Sequence, residues 1–182
     1  MNARGFSFVG GASGGWRVTR VSRVVGEGLE DAKCVDVVGA NLSSLPPDAV
    51  WVLRGTASYD RYVTRQEKNR LNSEQPLLGR LEATCAALIP VKKSPEWWQL
   101  AHDERRAIFE ERSHHVQTGV KYLPAIARRL HHSYDLDEPF DFLTWFEYAP
   151  EHAGAFEELV LELRATEEWN YVIREVDVRL VR

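Results

Sequence analysis

Six histidines lie in this 182-residue chain, and four of them form two adjacent pairs, His114-His115 and His131-His132, with Pro124 between the pairs. Imidazole is a ligand for iron, zinc and copper, so a metal site is one reading of these pairs. Neighbouring residues point to different faces of a helix or a strand, so each pair offers at most one ligand to a given metal. The other reading is histidines that are hydrogen-bonded in a core or turned to solvent, and residue types alone leave both readings open. Cys34 and Cys85 form no CxxC pair and no metal-ligand spacing. They read as two buried reduced thiols, which fits a reducing compartment. The run Gly10-Gly11-Ala12-Ser13-Gly14-Gly15 is not followed by GK[ST], and its flanks are strand-like on both sides. It is therefore not a phosphate loop.

The elements that must position these residues are legible in part. Phe6 to Val9 and Trp16 to Val25 read as two strands about the glycine turn, a hairpin candidate. Leu45-Pro46-Pro47-Asp48 punctuates the chain, and Val50 to about Tyr62 is a strand rich in β-branched and aromatic residues. Thr64 to Asn72 predicts a short surface helix, and Leu81 to Val91, ending at Pro90, predicts another strand. Ser94-Pro95-Glu96 places a capping serine before a proline at the first helical position and opens a helical region toward His115. Phe140, Phe142, Thr144 and Phe146 recur at every second residue, as in a strand, and a helix follows from Pro150 to about Leu163. Val176, Val178 and Leu180 alternate with Asp177 and Arg179 in a last strand. The order predicts an α+β domain with helices on one side of a largely antiparallel sheet.

The stretch Arg112 to Ser133 resembles the chlorite dismutase family pattern of a proximal histidine, a Leu-Pro turn, here Leu123-Pro124, and an arginine thirteen residues after the histidine. His115 and Arg128 have that spacing; for His114 the matching position, 127, is alanine. Phe142 to Glu147 and Glu168-Trp169-Asn170-Tyr171 also match, and Gln75 and Lys93 with Trp97-Trp98 resemble pocket residues of the short clade. The resemblance covers roughly residues 50 to 182. A straight helix over the thirteen residues would separate His115 and Arg128 by about 20 Å along its axis. Pro124 breaks that helix, and beyond it Ile126, Arg128 and Leu130 would share one strand face.

What the resemblance implies is a ferredoxin-like dimeric α+β barrel with two related halves, the N-terminal half truncated (1–80) and heme in the C-terminal half (81–182), all in one domain. It implies heme b (iron protoporphyrin IX), chlorite as substrate, and conversion of chlorite to chloride and dioxygen with O–O bond formation. His115 is then the iron ligand, Glu168 accepts the other imidazole N–H, and Lys93 holds that carboxylate. Arg128 is the distal catalytic residue, positioned by Gln75; Leu130, Thr144 and Phe146 exclude water, and Trp97 packs near the heme edge. Without the resemblance, Glu168 reads equally as a solvated helix-end charge and Trp97 as a core aromatic. A related activity, coproheme decarboxylation, fits less well: family members performing it usually lack the distal arginine, many use a tyrosine before the proximal helix, and no tyrosine lies between Arg80 and Lys92. A heme peroxidase of the same superfamily is a further alternative.

Composition is that of an ordinary globular protein. The chain is 44% hydrophobic and carries 23 Lys+Arg against 27 Asp+Glu, a net charge of −4. That lacks the basic excess a nucleic-acid surface needs. Nowhere do 18 apolar residues run uninterrupted, and Met1 to Gly15 holds no apolar leader core, so no membrane partner and a cytoplasmic location are expected. The expected assembly is a homodimer.

Overall fold

The computed structural model describes residues 5–39, 42, 44, 46–57 and 62–182. Leu45 of the proline punctuation, residues 58–61 of the strand expected to reach Tyr62, and residues 1–4 of the N-terminal stretch lie outside the described residues. Among the described residues there are eight strands: β1 (Gly5–Gly11), β2 (Trp16–Val25), β3 (Cys34–Val38), β4 (Ala49–Ala57), β5 (Cys85–Lys93), β6 (Ile126–His132), β7 (Phe142–Tyr148) and β8 (Val172–Val181). Helices α1 (Arg65–Glu74), α2 (Pro95–Gln99), α3 (His102–Arg106), α4 (His115–Lys121) and α5 (Ala153–Arg164) join them, with a π-helix at Ala107–Arg112. The strands close into an antiparallel barrel in the order β1-β3-β2-β8-β5-β7-β6-β4, β4 returning to β1. The antiparallel sheet expected from the strand pattern thus closes on itself with helices outside it, the α+β barrel that the resemblance implied.

The expected hairpin of the first two strands does not form. β3, which the sequence did not signal, lies between them, with Gly11 opposite Cys34 on one side and Trp16 opposite Val35 on the other. The glycines serve close approach rather than a two-strand turn. A Cβ on Gly10 would lie 2.1 Å from the Trp51 ring, and one on Gly11 would lie 2.7 Å from the Asp48 carbonyl oxygen. Only glycine admits neighbours that near.

Alternation sorts the strand residues into two apolar layers. Phe8, Trp16, Leu53, Leu88, Leu143, Trp145, Val176, Val178 and Leu180 fill the barrel. Outside it, Ile89, Val91, Ile126 and Phe146 pack under Phe156, Leu159, Val160 and Leu163 of α5. Each such side chain contributes roughly 1.5–3 kcal/mol on burial, so α5 is held mainly by that stripe. The alternate residues of β8 are not solvated: Arg164 bridges Glu175 and Asp177 at 2.6 and 2.9 Å, and Arg179 reaches Glu157 at 3.0 Å.

Other boundaries move slightly. β5 begins at Cys85 and runs through Pro90 to Lys93, because Pro90 pairs with Leu143 on β7 and Val91 resumes pairing on both sides. Ser94 occupies the N-cap of α2 but makes no side-chain cap bond, while the expected helix at 64–72 is α1, capped by Thr64. The helical region before His115 is not one helix but α2, α3 and the π-helix. Cys34 and Cys85 are free and half-buried rather than buried. Among the described residues no helix is long and apolar enough to cross a membrane.

Candidate functional site

The outer face of β5, β7 and β6 and the helices above it enclose a cleft with about 1240 Å³ of atom-free space, its solvent-filled mouth included. Its walls are mostly apolar, and the few polar groups sit at defined places.

His115 opens α4 directly after His114, whose φ of 51° turns the chain into the helix and leaves His114 exposed. No N-cap side chain serves this helix. Glu110, from the π-helix, accepts hydrogen bonds from the Val116 and Gln117 amides at 2.6 and 3.3 Å, supplying both the missing acceptor and a negative charge at the positive helix end. His115 is thereby held with Nδ1 2.7 Å from Glu168 Oε2. An imidazole donating from Nδ1 carries its lone pair on Nε2, the arrangement a metal ligand requires.

Glu168 is 5% exposed, and its other oxygen accepts from Lys93 Nζ at 2.9 Å. Ser113 Oγ accepts the Glu168 amide at 3.0 Å. Burial by itself would raise this carboxyl's pKa; its interactions with His115 and Lys93 outweigh that and hold the pKa at about 2. Lys93 Nζ also lies 4.6 Å from the Trp97 ring centre and 5.3 Å from that of Trp169. The Phe109 ring stacks on His115, with centroids 4.4 Å apart and planes at 23°.

Arg128, Leu130 and His132 of β6 and Thr144 and Phe146 of β7 share the face that lines the cleft, as the period of two requires. The Arg128 guanidinium extends to α4: a Cβ on Gly119, one turn beyond His115, would lie 3.9 Å from it. Gln75 lies outside the lining. Its Nε2 donates to the Arg128 backbone carbonyl at 2.6 Å, so it holds the strand rather than the guanidinium.

Of the nine sequence-predicted site residues, eight therefore line one cleft: His115, Lys93, Glu168, Trp97, Arg128, Leu130, Thr144 and Phe146. Tyr62, Val63, Phe109 and Glu175 line it too and were not foreseen. No local pattern marks them; Phe109, which stacks on His115, is carried by the π-helix. The second histidine pair divides as neighbours in a strand must. His132 faces the cleft, whereas His131 faces the opposite side, between Phe6 and Phe8, with Nδ1 donating to the Leu143 carbonyl at 3.1 Å. Burial pushes the His131 pKa down to about 4, against the opposing effect of that hydrogen bond. Among the described residues no three His, Cys, Asp or Glu side chains converge as a metal site. The His115 imidazole on one wall, the Arg128 guanidinium reaching across from β6, which also presents His132, and mostly apolar surface between suit a broad, largely apolar group with one metal centre. The buried Trp97 indole N–H, which has no hydrogen-bond partner among the described residues, adds a donor to the cleft lining.

The family model for chlorite dismutase matches residues 45–181. A crystal structure of dimeric chlorite dismutases from Nitrobacter winogradskyi is 58% identical, with a TM-score of 0.90 over 97% of this chain and 99% of that one. A chlorite dismutase from Candidatus Nitrospira defluvii, solved in complex with imidazole, is 28% identical with a TM-score of 0.60 over 74% of this chain and 56% of that one. A chlorite dismutase from Ideonella dechloratans is 37% identical over 89 residues, which are 49% of this chain and only 29% of the relative.

Proposed function

The chain belongs to the chlorite dismutase family, and on that premise we propose that it is a heme b enzyme converting chlorite to chloride and dioxygen. The observation carrying this reading is the relay His115–Glu168–Lys93 behind one wall of an apolar cleft that Arg128 enters from the other. Heme b, when bound, supplies the redox centre at which a Cl–O bond breaks and the O–O bond forms, so that one ClO2⁻ gives one Cl⁻ and one O2 with no external reductant.

The chain's own residues do the rest. His115 would hold the iron through Nε2, and Glu168, accepting a hydrogen bond from Nδ1, would make the imidazole more electron-donating. Lys93 keeps Glu168 ionised in its buried place. Arg128 stays charged at any working pH and offers planar donors, which suits a small oxyanion in a dry pocket. It attracts chlorite and retains the hypochlorite-level fragment until dioxygen forms. Gln75 fixes the strand at Arg128, and Leu130, Thr144 and Phe146 keep water out. Trp97 packs at the cofactor edge.

The finer organisation belongs to the same proposal. One domain comprises a truncated N-terminal half (1–80) and a cofactor-binding half (81–182), a division supported by cleft walls drawn from residues 89–175 with only Tyr62 and Val63 added. The working unit is a homodimer, as in the Nitrobacter winogradskyi relative, and two free cysteines fit a reducing cytoplasm. The test is an oxygen-electrode trace on heme-loaded protein given chlorite. One O2 per chlorite is expected, and heme uptake without oxygen evolution would refute the activity.

A further inference from the structure

Helix α1 lies against α4 with little to hold it. Of its ten residues only Leu71 is buried, against Val116 and Val120 of α4 and beside Phe109 and Leu123. A ten-residue helix is marginal in water by itself, so where α1 lies depends on how its ends are tied.

Both ends are tied to the site. At the C-terminal end Gln75 donates to the Arg128 carbonyl at 2.6 Å. At the N-terminal end the Glu67 carboxylate takes a fork of two bonds from Arg106, at 2.8 and 2.7 Å, while also closing the Thr64 capping box. Both side chains of that pair are only 23% exposed. Arg106 beside Glu67 lowers the latter's pKa to about 2, with burial acting the other way. Arg106 also donates to the Tyr62 carbonyl, and its neighbour Arg105 donates to the Tyr62 hydroxyl at 3.1 Å, pinning a residue of the cleft wall. Arg106 is the last residue of α3 and runs directly into the π-helix whose Phe109 stacks on His115.

We propose that Glu67 and Arg106 are a positioning pair for the distal arginine: their ion pair holds α1 against α4 so that Gln75 can fix the β6 backbone at Arg128. The same pair ties that assembly to the wall carrying His115, through the π-helix. This rests on the reading of Arg128 as the anion-holding residue. Neither Glu67 nor Arg106 lines the cleft, so their effect on an anion must pass through α1 and Arg128.

The test uses Glu67→Gln, which keeps an oxygen for the capping box and loses the charge, and Arg106→Lys, which keeps the charge and loses the fork. In heme-free protein, amide hydrogen exchange across α1 is expected to quicken about 10-fold in Glu67→Gln and less in Arg106→Lys, with β8 amides unchanged. In heme-loaded protein, fluoride serves as the anion probe. Its dissociation constant is expected to rise about 10-fold in Glu67→Gln while heme affinity stays constant, and adding Glu67→Gln to Arg128→Ala is expected to change it no further. Unchanged α1 exchange would overturn the proposal, as would a fluoride effect equally large with and without Arg128. The exchange measurement needs no heme. A chain that takes up no heme would therefore refute the functional reading, while exchange across α1 would still support or overturn the role of the pair.

Discussion

His131 lets acid stability be used as a probe of strand β6, which also carries Arg128. The imidazole is 1% exposed, and burial lowers its pKa from 6.5 to about 4. The unfolded chain therefore binds a proton here from pH 6.5 downward, while the folded chain declines it until about pH 4. Stability from this group is complete above pH 6.5 and is lost as pH falls toward 4. The full loss is about 3 kcal/mol at 1.36 kcal/mol per unit, of which about 2 kcal/mol has gone by pH 5. Against a typical stability of about 5–15 kcal/mol that is readily measured. The perturbation is His131→Gln, which keeps an amide donor for the Leu143 carbonyl and cannot titrate. Urea unfolding of heme-free wild type and variant at pH 7, 6 and 5 gives two curves of stability against pH. Other titratable groups, including Asp141, whose pKa is raised by burial, are common to both and cancel. Wild type is expected to lose about 2 kcal/mol more than the variant between pH 7 and 5. Parallel curves would refute the reasoning, because His131 would then accept its proton in the folded state as easily as in the unfolded one.

Three further outcomes follow from the site. His115→Ala is expected to abolish stable heme binding while His114→Ala does not, since His114 is exposed and only His115 engages Glu168; hemin titration followed at the Soret band decides it. Glu168→Gln removes a charge-assisted hydrogen bond of about 1.5–3 kcal/mol and is expected to raise the Fe(III)/Fe(II) potential, with an unchanged or lower value in spectroelectrochemistry counting against the pairing. Arg128→Ala is expected to retain heme, evolve less oxygen per enzyme before inactivation and release trappable hypochlorite even at saturating chlorite. Full restoration of rate by saturation, with no extra chlorination of a reporter, would reduce Arg128 to an electrostatic guide.

What the chain discloses without its fold is local. The period of two at Phe142, Thr144 and Phe146 placed those residues on β7, and Pro124, by ending a helix, made it possible for His115 and Arg128 to face one space from α4 and β6. Adjacent histidines pointed to opposite faces for the same reason. These relations span a few residues and follow from backbone geometry alone. The partners of the site do not. Glu168 is 53 residues from His115 and 75 from Lys93, and their meeting was legible only through resemblance to a family, since by itself Glu168 read equally as a solvated charge. The insertion of β3 between β1 and β2 and the closure of β4 onto β1 were likewise out of reach, because pairing is chosen by how the whole barrel packs and not by the turn that joins neighbours. Tertiary structure also decided that Glu67 and Arg106, two ordinary surface charges in the sequence, meet across 39 residues at the end of a helix that cannot hold itself in place.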